Sequence, residues 1–405
     1  MTVKTLFKYL IGTVVGLAAG FLLKPGDGVA SALVAAGEFS VRIGRYLLIP
    51  LIFFSFTVAV TKLRRMGKLG TLLSRSGLYM AAAAAGLALI GTFVAWAVGF
   101  GRIPVVPGAR PDMEMTSLGA MARGILQMNG FKALVGNPSF LLPVVIPAFI
   151  LGWHLHHDRE IAEPTFNLFD SLSRVLYRAN RYLLALMPIL LAVLSAGAVI
   201  GARRVVDIKR FFPLLGIVLG LTVILIFGIY PLVLWLLGGR RSPWKALAGT
   251  GGALLGAFVS GSPLFNYGNF TFHLKENLKV RRHTAAVTAP VYLMFARAGT
   301  AMVSAVCMLT VIRSYSSLEI TLFQAAWTAL FSFLVSFALP AAPDRGLTAA
   351  LVMMGALYGR GLDDGWLILA PALPLLALVT AVLDTATAAL LILLANKRCG
   401  LDRDA

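Results

Sequence analysis

The sequence is poor in charge and poorest in acid. Of 405 residues only 13% are charged, and 17 Asp and Glu stand against 36 Lys and Arg. Soluble domains carry about 25% charged residues. With 59% hydrophobic residues as well, the chain falls outside the ordinary soluble class. Cysteine is nearly absent. Cys307 lies in an apolar run and Cys399 follows the last one, which excludes a disulfide framework and leaves no metal spacing. Both read as inert thiols. Histidine is scarce too, and its one cluster, "HLHHDRE" at 154–160, lacks HExxH spacing and reads as a solvated loop. No GxSxG elbow, P-loop or GxGxxG-then-acid arrangement occurs. No enzyme, no cofactor and no metal site is expected.

What the chain has is long apolar runs. They fall at about 5–23, 46–61, 76–100, 138–153, 182–200, 211–238, 246–273, 284–312, 320–358 and 366–395. A helix crosses a bilayer with roughly 20 apolar residues, so an all-α polytopic membrane protein is expected. The first run is longer than a typical signal-peptide core and a basic residue follows it, so it reads as the first helix. Two runs are interrupted, one by "SGSPLFNYGN" and one by "LPAAPDRG". Such breaks end helices, and broken backbone in hydrocarbon must be shielded by protein or line a cavity. They are either two kinked helices or two re-entrant hairpins. Paired interruptions of this kind point to a transporter's binding site.

The net charge of +19 would suggest nucleic acid in a soluble protein. Here the basic residues sit between apolar runs, which places them on the cytoplasmic face and leaves no nucleic acid to expect. With a cytoplasmic N-terminus, the inside loops hold Lys62, Arg64, Arg65, Lys68 and Arg75, then Arg159, Arg174, Arg178 and Arg181. Arg240, Arg241 and Lys245 follow, then Lys275, Lys279, Arg281 and Arg282, and last Lys397 and Arg398. This holds if each interrupted run enters and leaves on one side. One loop disagrees: Arg203, Arg204, Lys209 and Arg210 fall outside.

Polar residues within apolar runs are the candidates for a site. Asp384 is the single charge between Trp366 and Ala395, and Thr380, Asp384 and Thr387 share a helix face at i, i+4, i+7. A charge at the bilayer centre costs at least about 2.5–3.5 kcal/mol. Asp384 is therefore either a pathway residue or a structural carboxylate, protonated or paired. Arg297, in "TAPVYLMFARAGTAMVSAV", is the candidate partner. It either neutralises Asp384 or binds an anionic substrate by a bidentate contact. Ser260, Ser262, Asn266 and Asn269 in the first break either touch a polar substrate or satisfy broken backbone. Asp344 and Arg345 are either a turn pair or a gate at a hairpin tip.

In order and spacing these segments resemble the dicarboxylate/amino acid:cation symporters, the glutamate-transporter fold. "LLIPLIFFS" is similar to that family's second helix, "NGFKALVGNPSFLLPVVIPAFILG" to the start of its fourth, and "LMPILLAVLSAGAVI" to its fifth. "GAFVSGSP" lies where the serine-rich first hairpin tip belongs. "APVYLMFARAGTAM" fits the seventh helix's "LPLGATINMDGTAL" without a gap. "LPAAPDRG" resembles the second hairpin's Val-Pro-Gly-Ala-Gly, and "VLDTATAALLILLA" fits the last helix's "ILDMGRTMVNVTGD".

The departures are as informative. The family's Asn-Met-Asp-Gly-Thr becomes Ala296, Arg297, Ala298, Gly299 and Thr300. The family's amino-group-binding Asp matches Asp384, its substrate-binding Arg falls on Thr387, and its sodium-binding Asn and Asp fall on Leu391 and Ala395. An upstream buried Asp falls on Thr380, and the hairpin's triple serine becomes Ser262, Pro263 and Leu264. Sodium needs oxygen ligands, which Ala298, Leu391 and Ala395 lack in their side chains. The resemblance thus implies the fold and a transport mode without sodium coupling, with Arg297 as a built-in cation.

The expected fold is eight transmembrane helices plus two re-entrant hairpins. By resemblance, residues 1–75 and 137–202 hold scaffold helices 1–2 and 4–5. Residues 76–136 hold transport-domain helix 3 and a long external loop. Residues 203–405 hold the rest of the transport domain, with hairpins at about 246–275 and 320–360 around helix 7 (284–313) and helix 8 (366–396). A homotrimer in the inner membrane among lipid, with both termini cytoplasmic, would carry a small polar solute by an elevator-type movement. The alternatives are a proton-coupled or uncoupled carrier, or a relative that binds without transporting. The expected substrate residues are Asp384, Thr387, Arg297, Thr300, Ser260, Ser262, Asn266, Asp344 and Arg345. Asp384, Gly299 and Thr380 are expected at coupling.

Overall fold

The structure is a computed structural model describing residues 2–24, 27–99, 101–104, 124–125, 129–130, 132–136, 140–157, 159–203, 208–238, 242–316, 319–341 and 346–401. Among them the regular structure is all helical. The helices are α1 Thr2–Leu22, α2 Gly28–Arg45, α3 Leu48–Arg65, α4 Leu69–Val98, the short α5 Lys132–Val135, α6 Leu142–His154 and α7 Arg159–Arg203. α8 Phe212–Ile224 continues through a π-helical turn, Leu225–Ile229, into α9 Tyr230–Gly238. Then come α10 Pro243–Ser260, α11 Tyr267–Glu276, α12 Arg282–Phe295, α13 Ala298–Tyr315, α14 Leu322–Ala338, α15 Gly346–Tyr358 and α16 Leu373–Arg398.

Among the described residues, eight helical stretches are long and apolar enough to cross a membrane. The number is the expected one, but the set differs. The expected fourth span is α6, with 13 residues. At about 1.5 Å per residue it reaches about 20 Å, short of a hydrocarbon core of about 30 Å. Leu322–Ala341, the first half of the second interrupted run, is long enough instead. The second span begins at Gly28 rather than 46, because α2 precedes α3 across a break at residues 46–47. Glu38, Arg42 and Arg45 had hidden α2 from a hydropathy reading. The expected fifth span lies inside the 45-residue α7, whose N-terminal half is too charged to read as apolar.

The helices form one continuous bundle, in which α12 packs on α3 and α10 on α1 and α7. α1, α2, α3, α6 and α7 lie against one another, and α4 packs on α13 and α14. α16 joins α4, α10, α12 and α13. The centre is almost wholly enclosed: α13 is buried from Ala298 to Ile312, and α16 from Leu383 to Asn396. Helices that are apolar all round belong in such a position. The outer helices expose Phe7, Phe21, Leu78, Phe93, Trp235 and Phe323, which suits a lipid solvent.

The seam between α1 and α7 follows from a pattern the sequence carried openly. Gly12, Gly16 and Gly20 recur every fourth residue of α1 and meet α7 backbone to backbone. A Cβ at Gly16 would lie 2.0 Å from the Ala192 carbonyl oxygen and 2.1 Å from Ser195 Oγ. Small residues at this spacing let membrane helices approach closely. Ser195 Oγ uses the approach to donate to the Thr13 carbonyl at 3.1 Å. Gly16→Val is expected to lower the unfolding temperature in detergent, since overpacking costs about 1–3 kcal/mol. An unchanged transition would show that the seam is looser than drawn.

The anomalous basic loop is partly explained at the same seam. Arg203 Nη1 donates to the carbonyls of Gly20, Phe21 and Leu23 at 3.1, 2.9 and 2.6 Å. The last carbonyls of α1 have no partner within their own helix, and a cation there also suits the helix dipole. Arg203 is thus a cap for a neighbouring helix rather than a topological signal.

Candidate functional site

The first interrupted run folds as a helix–turn–helix. α10 ends at Gly261, whose φ of +62° gives the left-handed stop that glycine adopts most readily. The chain turns and α11 runs back along α10. Asparagine amides join the arms: Asn277 Nδ2 donates to the Gly249 carbonyl at 2.9 Å and Asn269 Nδ2 to the Gly252 carbonyl at 2.9 Å. Asn266 donates to the Ala253 carbonyl and accepts from Asn269 at 2.9 Å. Asn266 is fully buried in this seam and satisfies backbone, the second of the two readings left open for it.

The second interrupted run is α14, started by a Thr321–Gln324 capping box, then a 3₁₀ turn at Leu339–Ala341, with helix resuming at Gly346 in α15. Asp344 and Arg345 lie outside the described residues.

A third break separates α12 from α13. Ala296 and Arg297 leave helical geometry (ψ 55° and 39°), six residues after Pro290. The start of α13 has amide groups without partners in its own helix. Asp384 of α16 supplies one from across the interface. Its Oδ1 accepts from the Thr300 backbone N–H at 2.9 Å, and its Oδ2 accepts from Thr300 Oγ1 at 2.6 Å. Arg297 Nη1 lies 3.6 Å from the same Oδ2. Gly299 makes the approach possible, because a Cβ there would stand 2.8 Å from Asp384 Oδ1. The Asp384 side chain is 3% exposed and that of Arg297 14%. The carboxylate therefore caps a helix and balances a guanidinium at once.

These breaks meet at a cavity of about 330 Å³. Ser260–Leu264 line it from the first turn, and Leu339, Pro340 and Gly346–Thr348 from the second pair. Met294, Arg297 and Thr300 come from the third break, and Ala377, Thr380, Ala381 and Asp384 from α16. The remaining wall is Leu141 and Arg45. Of the expected substrate residues, the structure brings together Arg297, Thr300, Ser260, Ser262 and Asp384. Thr380 joins them, with its hydroxyl donating to the Leu376 carbonyl at 2.7 Å. Gly299 stands behind Asp384 rather than in the wall. Thr387 lies off the cavity. Its hydroxyl donates to the Leu383 carbonyl at 2.7 Å and is 2.6 Å from Tyr230 Oη.

Two residues were missed. Tyr230 follows the π turn, and Pro231 next to it removes a helix donor. Nothing in the sequence pairs it with Thr387. Arg45 did leave a signal. With a cytoplasmic N-terminus, Arg42 and Arg45 fall on the outside, a second departure from the positive-inside pattern beside the Arg203 loop. In the structure Arg45 Nη2 donates to Ser262 Oγ at 3.1 Å.

Eight apolar spans among the described residues, with helix ends converging on a polar cavity, fit a multi-pass membrane transporter for a small molecule. The chain belongs to the sodium:dicarboxylate symporter family, whose model matches residues 5–393, nearly its whole length. It is therefore a symporter-type transporter and not an enzyme. No curated protein matches the chain.

Proposed function

We propose that the protein carries a small polar solute, a dicarboxylate or an amino acid, across the inner membrane with both its termini cytoplasmic. The family name supplies the dicarboxylate. The two helix–turn–helix pairs act as re-entrant hairpins whose tips close on the solute. The group with α4 and α8–α16 moves as an elevator against the scaffold of α1–α3, α6 and α7, and three copies assemble. The heaviest packing of α1, α2 and α3 is on α6 and α7, which supports this division, with α12 against α3 and α10 against α1 as its seam. The observation that carries the reading is the cavity itself, formed where both tips meet the Arg297–Asp384 pair.

Sodium has no place at the family's positions in this reading. Ala298, Leu391 and Ala395 are buried among apolar side chains and bring no side-chain oxygen, whereas a hard cation wants several. Arg297 supplies the positive charge there instead. Purified protein is expected to be stabilised against heat by a dicarboxylate or an amino acid equally in sodium and in choline buffer. Proteoliposomes should take up that solute without a sodium gradient. A stabilisation by an acidic amino acid that requires sodium would overturn this view of the ion sites.

A further inference from the structure

A small cleft lies apart from the central cavity. It holds about 30 Å³ between α3 and α7 on one side and α11 and α12 on the other. Its surroundings are charged. Asp170 of α7 pairs with Arg174 at 2.8 Å, with Lys62 of α3 at 3.2 Å and with Arg282 of α12 at 3.6 Å. Glu276 of α11 pairs with Lys275 at 3.4 Å and with Arg181 at 3.9 Å. Five cations thus share two carboxylates. Lys275 and Arg282 line the cleft itself, and among the described residues no acidic side chain does. Their side chains are 25% and 28% exposed, so an ion from outside can reach them. Both are held in place: Lys275 Nζ lies 4.2 Å over the Tyr177 ring, and Arg282 donates to Ser173 Oγ.

We propose that this cleft binds the phosphate of an anionic phospholipid, with Lys275 and Arg282 against its oxygens. The excess of cations calls for an anion, and ammonium and guanidinium both suit phosphate. The hydroxyls of Ser173 and Tyr177 line the same wall and can donate to further oxygens. Position favours a lipid over a soluble anion. Arg282 opens Arg282–Tyr315, a stretch long and apolar enough to cross a membrane, so the charged rim lies where such a span enters. From the rim, Leu51, Ala285 and Ala286 carry the wall onward along α3 and α12, both within such stretches. A charged rim over an apolar floor fits a headgroup and the start of its acyl chains. Basic pockets between membrane helices take anionic headgroups in this way. A zwitterionic lipid brings its own ammonium group, which the rim repels.

The test is thermal unfolding of the purified full chain in detergent, titrated with phosphatidylglycerol, phosphatidylcholine or inorganic phosphate. Phosphatidylglycerol is expected to raise the unfolding temperature by about 3 °C or more, and the other two are not. Lys275→Gln should shift the phosphatidylglycerol titration to about fivefold higher concentration, and Lys275→Arg should restore it. Lys397→Gln is the control, a basic residue that instead donates to the Leu237 carbonyl of α9. It should leave the titration unchanged. The lipid-free unfolding temperature of each variant reports whether it folds. Equal stabilisation by phosphatidylcholine would overturn the proposal. So would equal stabilisation by inorganic phosphate, which would make the occupant a soluble anion. An equal loss in Lys275→Gln and Lys397→Gln would overturn it too, as the mark of diffuse surface charge. No transported solute enters the experiment, so each of these results would leave the transport reading standing.

Discussion

Asp384→Asn is expected to destabilise the protein by about 3–5 kcal/mol, the usual cost of removing one partner from a buried ion pair. Asparagine keeps the size of the side chain, and its carbonyl oxygen can still accept from the Thr300 N–H. The change therefore isolates charge. Arg297, with 14% of its side chain exposed, would be left beside a neutral amide. The cavity admits some water, which puts the expectation at the lower end of the range. Solute binding should fall as well, because the start of α13 loses its anionic cap and its position against α16.

The companion variant decides whether the loss belongs to the pair. Arg297→Met alone leaves Asp384 with Thr300 but without a cation. The double variant Asp384→Asn/Arg297→Met removes both charges, and replacement of both partners is often nearly neutral. Its unfolding temperature is expected to lie well above that obtained by adding the two single losses. Strict additivity would mean no coupling between the groups. An Arg297→Met variant with unaltered stability and uptake would end the idea that Arg297 stands in for a bound cation.

Much of this arrangement could be read from the order of residues. Asp384 stood out because it was alone in an apolar run, and Arg297 because it was the nearest plausible partner. Neither observation needed coordinates, since the cost of a charge in hydrocarbon is independent of fold. What the sequence left open was allocation. Two donors of Thr300 converge on Asp384 only because α13 begins at Ala298, and a break in α12–α13 gives no sign of which neighbour will satisfy its end. Asn266 looked like a substrate ligand because it is polar and near a turn, yet its position relative to α10 commits it to the Ala253 carbonyl. Thr387 shares a face with Asp384 by helical periodicity, but it is met by Tyr230 from the π-turned helix. Arg45 illustrates the opposite failure. It belonged to a helix whose three charges lowered its hydropathy, so a method built on apolar runs assigned it no place.

Gly299→Ala is expected to be nearly as damaging as loss of the ion pair, although it adds a single methyl group. The new Cβ would meet Asp384 Oδ1 at 2.8 Å, the Asp384 backbone nitrogen at 2.9 Å and Leu383 Cβ at 2.9 Å. Real Cβ atoms do not sit so close, and none of these atoms can easily retreat. Two are fixed by the α16 backbone, and Oδ1 is held by the Thr300 N–H. α13 and α16 must therefore separate where they are most buried. Overpacking of this kind costs about 1–3 kcal/mol. The hydrogen bonds from Thr300 to a charged acceptor, about 1.5–3 kcal/mol each, weaken with the separation. The control is Gly86→Ala in α4, where a Cβ meets nothing within 4 Å. There the exchange should be neutral or stabilising by up to about 1 kcal/mol through helix propensity. Unfolding temperatures of the two variants, measured side by side in detergent, separate close approach from a general intolerance of alanine. If Gly299→Ala unfolds with the unmutated protein, α13 and α16 are not in contact at Asp384. The capped, paired carboxylate at the centre of the site would then have to be abandoned.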